Sequence, residues 1–356
     1  MTQYELTKLN IGQDLDDLMN LDPRGYGVCR ILYQAARAYT GKPLSIHFAE
    51  KLLDCVREGD FVYILTGFVL LPFKKAEMDG IIGAVLLARA LTQIGAKPVL
   101  VMPEETKYAA EKLATAAGIH FYDSIEEAAN LPLAMAAVTF TKEKSQAVRQ
   151  SEDLLAKALP TAVIAIESPG ANEYGIYHNA TGLNVTDIEA KSDVLFEILK
   201  AKGIPTFAIG DLGNETGMAT LKEHLMTYIP YTTGCQCGCM GGIAAETAAQ
   251  TIVTATVSNW GADAVIAAMA FIRGNLNIMH TAEMEKEMII TASRAGMIDM
   301  YGDLIPAVDG MELNINVSIA YLMRSCVQNS LMLQQKCKHW FDKVIEKGFF
   351  DEERKN

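Results

Sequence analysis

The sequence predicts an α/β fold: a mostly parallel sheet flanked by helices, with helical N- and C-terminal extensions. Two observations carry that expectation. From Phe61 onward, short apolar runs alternate with amphipathic segments, the pattern of strands and helices wound around a sheet. Before and after that stretch the apolar residues recur at helical intervals and no strand pattern intervenes.

In chain order, Val28 to Tyr39 and Ile46 to Val56 read as helices within a helical first segment, 1–60. The strands are then Phe61 to Leu65, Pro98 to Met102, His120 to Tyr122, Ala136 to Phe140, Ala162 to Ile166, Thr206 to Ile209 and Ile252 to Val257. Helix punctuation supports these limits. Ser124 with Glu127, and Thr186 with Glu189, have capping-box spacing, while Gly118 and Gly203 follow amphipathic runs as helix stops. After Gly261 come helices over Ala262 to Phe271, Glu283 to Ala295 and Asn316 to Lys347, then the charged tail DEERKN. The segments 1–60, 61–275 and 276–356 show no linker or repeat between them, so one compact unit is expected.

Composition excludes several classes. Of 356 residues 50% are hydrophobic and 21% charged, with Gly at 27 and Pro at 11, which excludes disordered, collagenous and coiled-coil chains. A net charge of −12 gives little support for gripping a phosphate backbone, so no nucleic-acid partner is expected. The longest uncharged run, Leu225 to Ala245, contains Pro230 and four glycines and reads as a loop rather than a membrane span. The N-terminus has neither a basic n-region nor an apolar h-region, which points to the cytoplasm. Seven cysteines in so long a chain are expected to be reduced thiols.

Ligands of an open parallel sheet bind outside the carboxyl ends of its strands, so the residues that follow each strand matter most. Four such ends carry glycine with carboxylates or amides: Thr66-Gly67-Phe68 leading to Asp79-Gly80, Glu167-Ser168-Pro169-Gly170, Gly210-Asp211-Leu212-Gly213-Asn214-Glu215, and Ser258-Asn259-Trp260-Gly261. Glycine lets backbone approach a ligand, and Asp, Glu and Asn offer hard oxygens to a divalent ion or an amine. One polar small-molecule pocket is therefore expected, with Asp79, Glu167, Asp211 and Asn259 converging on a cavity on the order of 300 to 1,000 Å³. Asp211 and Glu215 read either as metal ligands or base and orienter, or as a helix N-cap with a first-turn partner. Asp79 has the same capping alternative. Glu167 follows a buried strand and is harder to assign to solvent. His178, between Tyr177 and Asn179, is either catalytic or simply hydrogen-bonded.

Cys235-Gln236-Cys237-Gly238-Cys239 matches neither a zinc ribbon nor an iron–sulfur run and has no evident fourth ligand beside it. It reads as a glycine-rich loop of reduced thiols, with a soft-metal or redox role as the alternative. Cys29, Cys55, Cys326 and Cys337 fall on expected helices as packing thiols.

The segments TGF, DGIIGA, IESPGANEYGIYHNATG, IGDLGNETGM and VSNWGADAV occur in the order and approximate spacing of the D-glutamate cyclase family, which the chain resembles from Arg24-Gly25 to Val308-Asp309-Gly310. The family pattern has Asp-Gly-Pro and Gly-Asp-Gly-Gly-Asn-Glu, ending Gly-Met-Gly, where Ile81, Leu212 and Ala219 stand here. The resemblance implies conversion of D-glutamate, a small anionic amino acid, to 5-oxo-D-proline and water with a divalent cation, Mg²⁺ or Mn²⁺. It implies no organic cofactor. It points to Asp79, Glu167, Asp211 and Glu215 as catalytic, with Asp211 and Glu215 holding the cation. Gly80, Gly170, Tyr177, His178, Asn179, Asn214, Asn259, Trp260 and Asp309 would then contact substrate. A non-catalytic module binding an anionic metabolite is the alternative, and homo-oligomerisation stays open.

Overall fold

The computed structural model describes residues 1–333, 336 and 338–350. Three helices come first: α1 (Gln3–Met19), α2 (Val28–Thr40) and α3 (Leu44–Cys55). The body follows as β1 (Phe61–Thr66), a two-residue hairpin β2 (Val69–Leu70) and β3 (Lys75–Ala76), α4 (Ile81–Gln93), β4 (Lys97–Met102), α5 (Glu104–Ala116), β5 (His120–Tyr122), α6 (Ile125–Ala129), β6 (Ala134–Thr139), α7 (Lys144–Lys157) and β7 (Ala162–Ile166). Next are α8 (Ser192–Ala201), β8 (Thr206–Gly210), α9 (Lys222–Tyr228), β9 (Thr251–Thr254), α10 (Ser258–Arg273) and α11 (Ala282–Arg294). The chain continues through the hairpin β10 (Ala307–Val308) and β11 (Met311–Glu312) into α12 (Leu313–Leu333) and α13 (Lys338–Glu346).

Seven strands form one sheet in the order β5-β6-β4-β1-β7-β8-β9, and every pairing in it is parallel. Each expected strand is present, although the last ends at Thr254 rather than Val257. Such strands are legible because helices cover both faces: all of β7 is buried, as is β1 from Val62 onward. From β1 the chain crosses to β4 on one side, whereas from β7 it proceeds through β8 to β9 on the other. The carboxyl ends of β1 and β7 therefore flank the switch in winding direction, where such sheets open a crevice. Helix α10, buried from Ser258 to Phe271, packs against α1, α3, α4 and α12, so helices from both ends of the chain share its core.

Gly118 and Gly203 end α5 and α8 in the left-handed conformation, as expected. Ser124 caps α6 by accepting from Glu127 N at 3.2 Å, while its hydroxyl engages Glu126 rather than Glu127. The structure corrects four other expectations. No helix begins at Thr186: its hydroxyl accepts from Tyr177 N, and the next helix starts at Ser192. Helix α10 begins at Ser258, ahead of the expected Ala262. The Asn316 to Lys347 stretch contains two helices, α12 and α13. No helix opens after Asp211 for it to cap either, since the chain after β8 stays irregular up to Ala219. Cys337 and the tail DEERKN lie outside the described residues; among those described, no helix is long and apolar enough to cross a membrane. Leu225 to Ala245 is the end of α9 followed by irregular chain.

Glu189 serves tertiary structure instead of a cap. Its buried carboxyl accepts from Val69 N at 3.1 and 3.3 Å, and burial pushes it up to about 8. Between the ordinary value of 4.5 and about 8 the folded chain keeps this proton and the unfolded chain loses it. The contribution to stability is thus complete below the lower value and is lost as pH rises through the upper one. Glu189→Gln retains an acceptor for Val69 without titrating. Urea unfolding at pH 5 and pH 9 should show a decline in the parent that is smaller in the variant by a few kcal/mol, at about 1.4 kcal/mol for each pH unit separating the folded and unfolded values. Equal declines would contradict this role for Glu189.

Candidate active site

The strand ends at the switch are stitched together by backbone. Gly67 N, after β1, donates to Glu167 O at 3.0 Å, and Glu167 N, after β7, donates to Ile209 O of β8 at 3.1 Å. Glu167 has φ +44° and Asp309 φ +52°, a left-handed conformation that non-glycine residues adopt only where the surroundings impose it. Both buried residues carry carboxyls. Gly80 (φ +81°) faces Glu167 so closely that an added Cβ would lie 2.4 Å from the Glu167 Cβ. Gly80→Ala is therefore expected to lower stability by roughly 2–5 kcal/mol through overpacking and backbone strain, read from the urea midpoint. A loss under about 1 kcal/mol would mean that the two loops separate easily.

Asp79 is a cap, but for a distant helix. Its carboxylate accepts from Ser258 N and Asn259 N at 2.8 Å, the first amides of α10, and from Gly80 N at 2.9 Å. Asn259 returns the contact by accepting from Gly83 N at 2.8 Å in the first turn of α4. The N-termini of α4 and α10 are thereby locked together beneath the strand ends. Glu215 is fully buried and turns back on its own loop, accepting from Asp211 N and Leu212 N at 2.7 Å and from Gly213 N. It fixes the backbone from which Asp211 projects, so of the two readings of this pair the Asp211 cap with a Glu215 dipole partner does not form.

Above this frame lies a cavity of about 260 Å³, below the expected range and suited to a molecule of amino-acid size. Asp211, Glu167, Glu77 and Asp309 line it, with Asn179 and Asn214 on one wall. Arg24 also lines it, the one lining cation among the described residues, with its Nη1 3.8 Å from Asp309 Oδ2. Its Nη2 donates to Thr256 O at 2.8 Å and its Nη1 to Asp309 O at 3.3 Å, while its buried Nε has no partner there. Oxygens of Asp79, Asp211 and Asp309 lie within 4.8 Å of one another, as do oxygens of Glu167, Asp211 and Glu215. Asp211 belongs to both groups and keeps partial solvent access through the cavity.

This crowding shifts the carboxyls upward. Glu167 is held well above the usual range by burial, then by the charges of Glu215, Asp79 and Glu77, against a 2.6 Å bond from Ser258 Oγ. Asp211 is raised by burial, then by Glu167 and Asp309. Asp79 is pushed up to about 8 by burial and Asp309 against the pull of its three amides. Glu77 rises by burial and the charge of Asp309. The group thus keeps protons to higher pH than ordinary carboxylates do.

Other expected site residues are placed elsewhere. Gly170 joins loops, its N donating to Asn214 O at 2.9 Å. Tyr177 is buried and donates to Asp193 Oδ1. Trp260 is fully buried, its Nε1 donating to Asn316 Oδ1 at 2.8 Å, so it ties α10 to α12 and does not line the cavity. Asn259 also lies behind Asp79 instead of on the wall. His178 turns toward Cys237 and Cys239. Arg24 and Glu77 were missed as site residues. Their signals were slight, an arginine beside Gly25 and Gly27, and an acid two places before Asp79.

The sequence profile of the family described as D-glutamate cyclase-like, C-terminal, matches residues 15–324. The chain belongs to that family. It is also 29% identical over 169 residues to human mitochondrial D-glutamate cyclase, a match covering 46% of this chain and 25% of that protein. The chain thus matches about a quarter of that relative's length. The family match takes in the strand ends, Arg24 and Asp309, so the whole cavity lies within it.

Proposed function

We propose that this chain catalyses the intramolecular cyclisation of D-glutamate, or a closely related small amino acid, to 5-oxo-D-proline and water. The observation that carries the reading is an amino-acid-sized cavity lined by Arg24 and by a crowded bank of carboxyls centred on Asp211. The free Nε of Arg24 suits the α-carboxylate of the substrate, which leaves the amine and the γ-carboxylate toward Glu167 and Asp211.

In the reaction the amine nitrogen bonds to the γ-carbon and one γ-oxygen departs as water. Two protons pass from the ammonium nitrogen to that oxygen, and no external acid or base is consumed. Proximity comes from the substrate itself, because the ring has five members. A carboxyl that keeps its proton near neutrality can give it to the departing oxygen and then accept one from nitrogen. Glu167 suits that role, since burial and its acidic neighbours raise it and Ser258 sets its orientation. Asp211, held by the Glu215 clamp, shares the second proton. The donor set fits a hard divalent cation, since it is all oxygen and carries more acid than Arg24 neutralises. Mg²⁺ or Mn²⁺ held by Asp211 with Glu215 or Asp309 would make the γ-carboxylate a better electrophile.

A binding module without turnover is the second reading, favoured by Leu212 lining the cavity where the family pattern has glycine. Incubation with D-glutamate and Mg²⁺ or Mn²⁺, followed by mass spectrometry for 5-oxoproline, separates the two. Product from D- but not L-glutamate supports the enzyme. Saturable binding without product supports the module, and neither product nor binding defeats both.

A further inference from the structure

A residue from a distant part of the chain, His178, meets the cysteine loop. His178 Nε2 lies 3.2 Å from Cys237 Sγ and 3.7 Å from Cys239 Sγ, while Cys235 Sγ lies 3.2 Å from Cys237 Sγ and 3.3 Å from Cys239 Sγ. The four donor atoms are all within 4.8 Å of one another. We propose that His178, Cys235, Cys237 and Cys239 form a tetrahedral Zn²⁺ site that clamps one wall of the cavity.

Three thiolates and an imidazole are a donor set of structural zinc. With Zn–S near 2.3 Å, the sulfur–sulfur edge of a tetrahedron is about 3.8 Å, so the thiols need to open by only about half an ångström. The observed separations are far longer than the roughly 2.05 Å of a disulfide. An odd number of thiols meeting at one point also leaves any pairing incomplete. The surroundings are built for a fixed loop: Cys235 N donates to Gly241 O at 3.0 Å, and Ile243 N to Tyr231 O at 3.0 Å. Asn172 Nδ2 reaches Gly242 O at 2.9 Å and Cys239 Sγ at 3.6 Å, the kind of outer contact that steadies a metal-bound sulfur.

The placement gives the ion a purpose. Asn179, Ala180 and Thr181, immediately after His178, line the cavity. Gln236, between the first two cysteines, donates from N to Gly182 O at 2.9 Å and from Nε2 to Thr181 O at 2.7 Å. Asn214, also on the wall, donates to His178 O at 3.0 Å. An ion at the four side chains would thus fasten the wall to the core instead of meeting substrate.

The test uses the whole protein purified under reducing, oxygen-free conditions. Elemental analysis should find about one zinc per chain. Cys237→Ser and His178→Gln should each lower it at least tenfold, while Cys326→Ser should not. Because a variant that folds poorly would also lose metal, the parent provides a second reading. Replacing zinc with Co²⁺ should produce the intense visible absorption of a tetrahedral thiolate site, and stripping the ion should raise amide exchange selectively in residues 177–184 and 231–243. Any of four results overturns the proposal: less than about 0.1 zinc per chain with no uptake of added Zn²⁺, zinc retained by both variants, copper or iron in its place, or a native mass 2 Da lower from a disulfide.

Discussion

Asp211→Asn is expected to reduce turnover roughly 10²-fold or more and to weaken its dependence on Mg²⁺ or Mn²⁺, without loss of folded protein. Asparagine keeps the shape and much of the hydrogen bonding but removes the acid that belongs to both oxygen groups. Folding should survive because Glu215, not Asp211, holds the loop amides. Removing one of several mutually repelling acids should leave the melting temperature equal or a few degrees higher in the absence of added cation. Unchanged turnover and unchanged cation dependence would show that Asp211 has no part in the reaction.

Glu167→Gln should lower kcat by roughly 10²- to 10⁴-fold, the range for losing a positioned acid or base. Glutamine can still accept from Ser258 Oγ, so the strand junction should remain. The pH profile makes the test specific. Burial and its acidic neighbours raise Glu167, so its acid form persists to higher pH than an ordinary carboxyl's and is lost as pH climbs through the folded value. The parent's turnover should therefore fall on the alkaline side, and the residual activity of Glu167→Gln should lack that limb. An alkaline limb of equal size in the variant would assign it to another group.

The sheet could be read from the sequence because its inner strands are apolar runs rich in Val, Ile, Ala and Leu, closed off by glycine or a helix pattern and buried by neighbours on both sides, while the edge strand β5, His-Phe-Tyr, is only partly buried. The hairpins β2–β3 and β10–β11, with two residues per strand, offer no such periodicity. Much of the site was legible as well, since Asp79, Glu167 and Asp211 follow strand ends or open a helix that the pattern marks. What stayed hidden is long-range. The start of α10 is set by Asp79, 179 residues before Ser258, and local capping rules see only the nearest few residues. Glu189 has capping-box spacing from Thr186 and binds Val69 instead. His178 and Cys237 are 59 positions apart, so spacing within the cysteine motif could not reveal the set. Trp260 and Tyr177 belong to motifs that also contain site residues, yet their rings are used in packing.

The fate of the γ-carboxylate decides whether the cavity performs the cyclisation, and an isotope experiment follows that fate directly. D-glutamate carrying ¹⁸O at both γ-oxygens is incubated with the protein and Mg²⁺ or Mn²⁺, and the 5-oxoproline is weighed by mass spectrometry. Cyclisation in the cavity between Arg24, Glu167 and Asp211 predicts product that keeps one ¹⁸O and delivers the other to water, at a rate that collapses in Asp211→Asn. Unlabelled or doubly labelled product, or none from the parent with either cation, would contradict it.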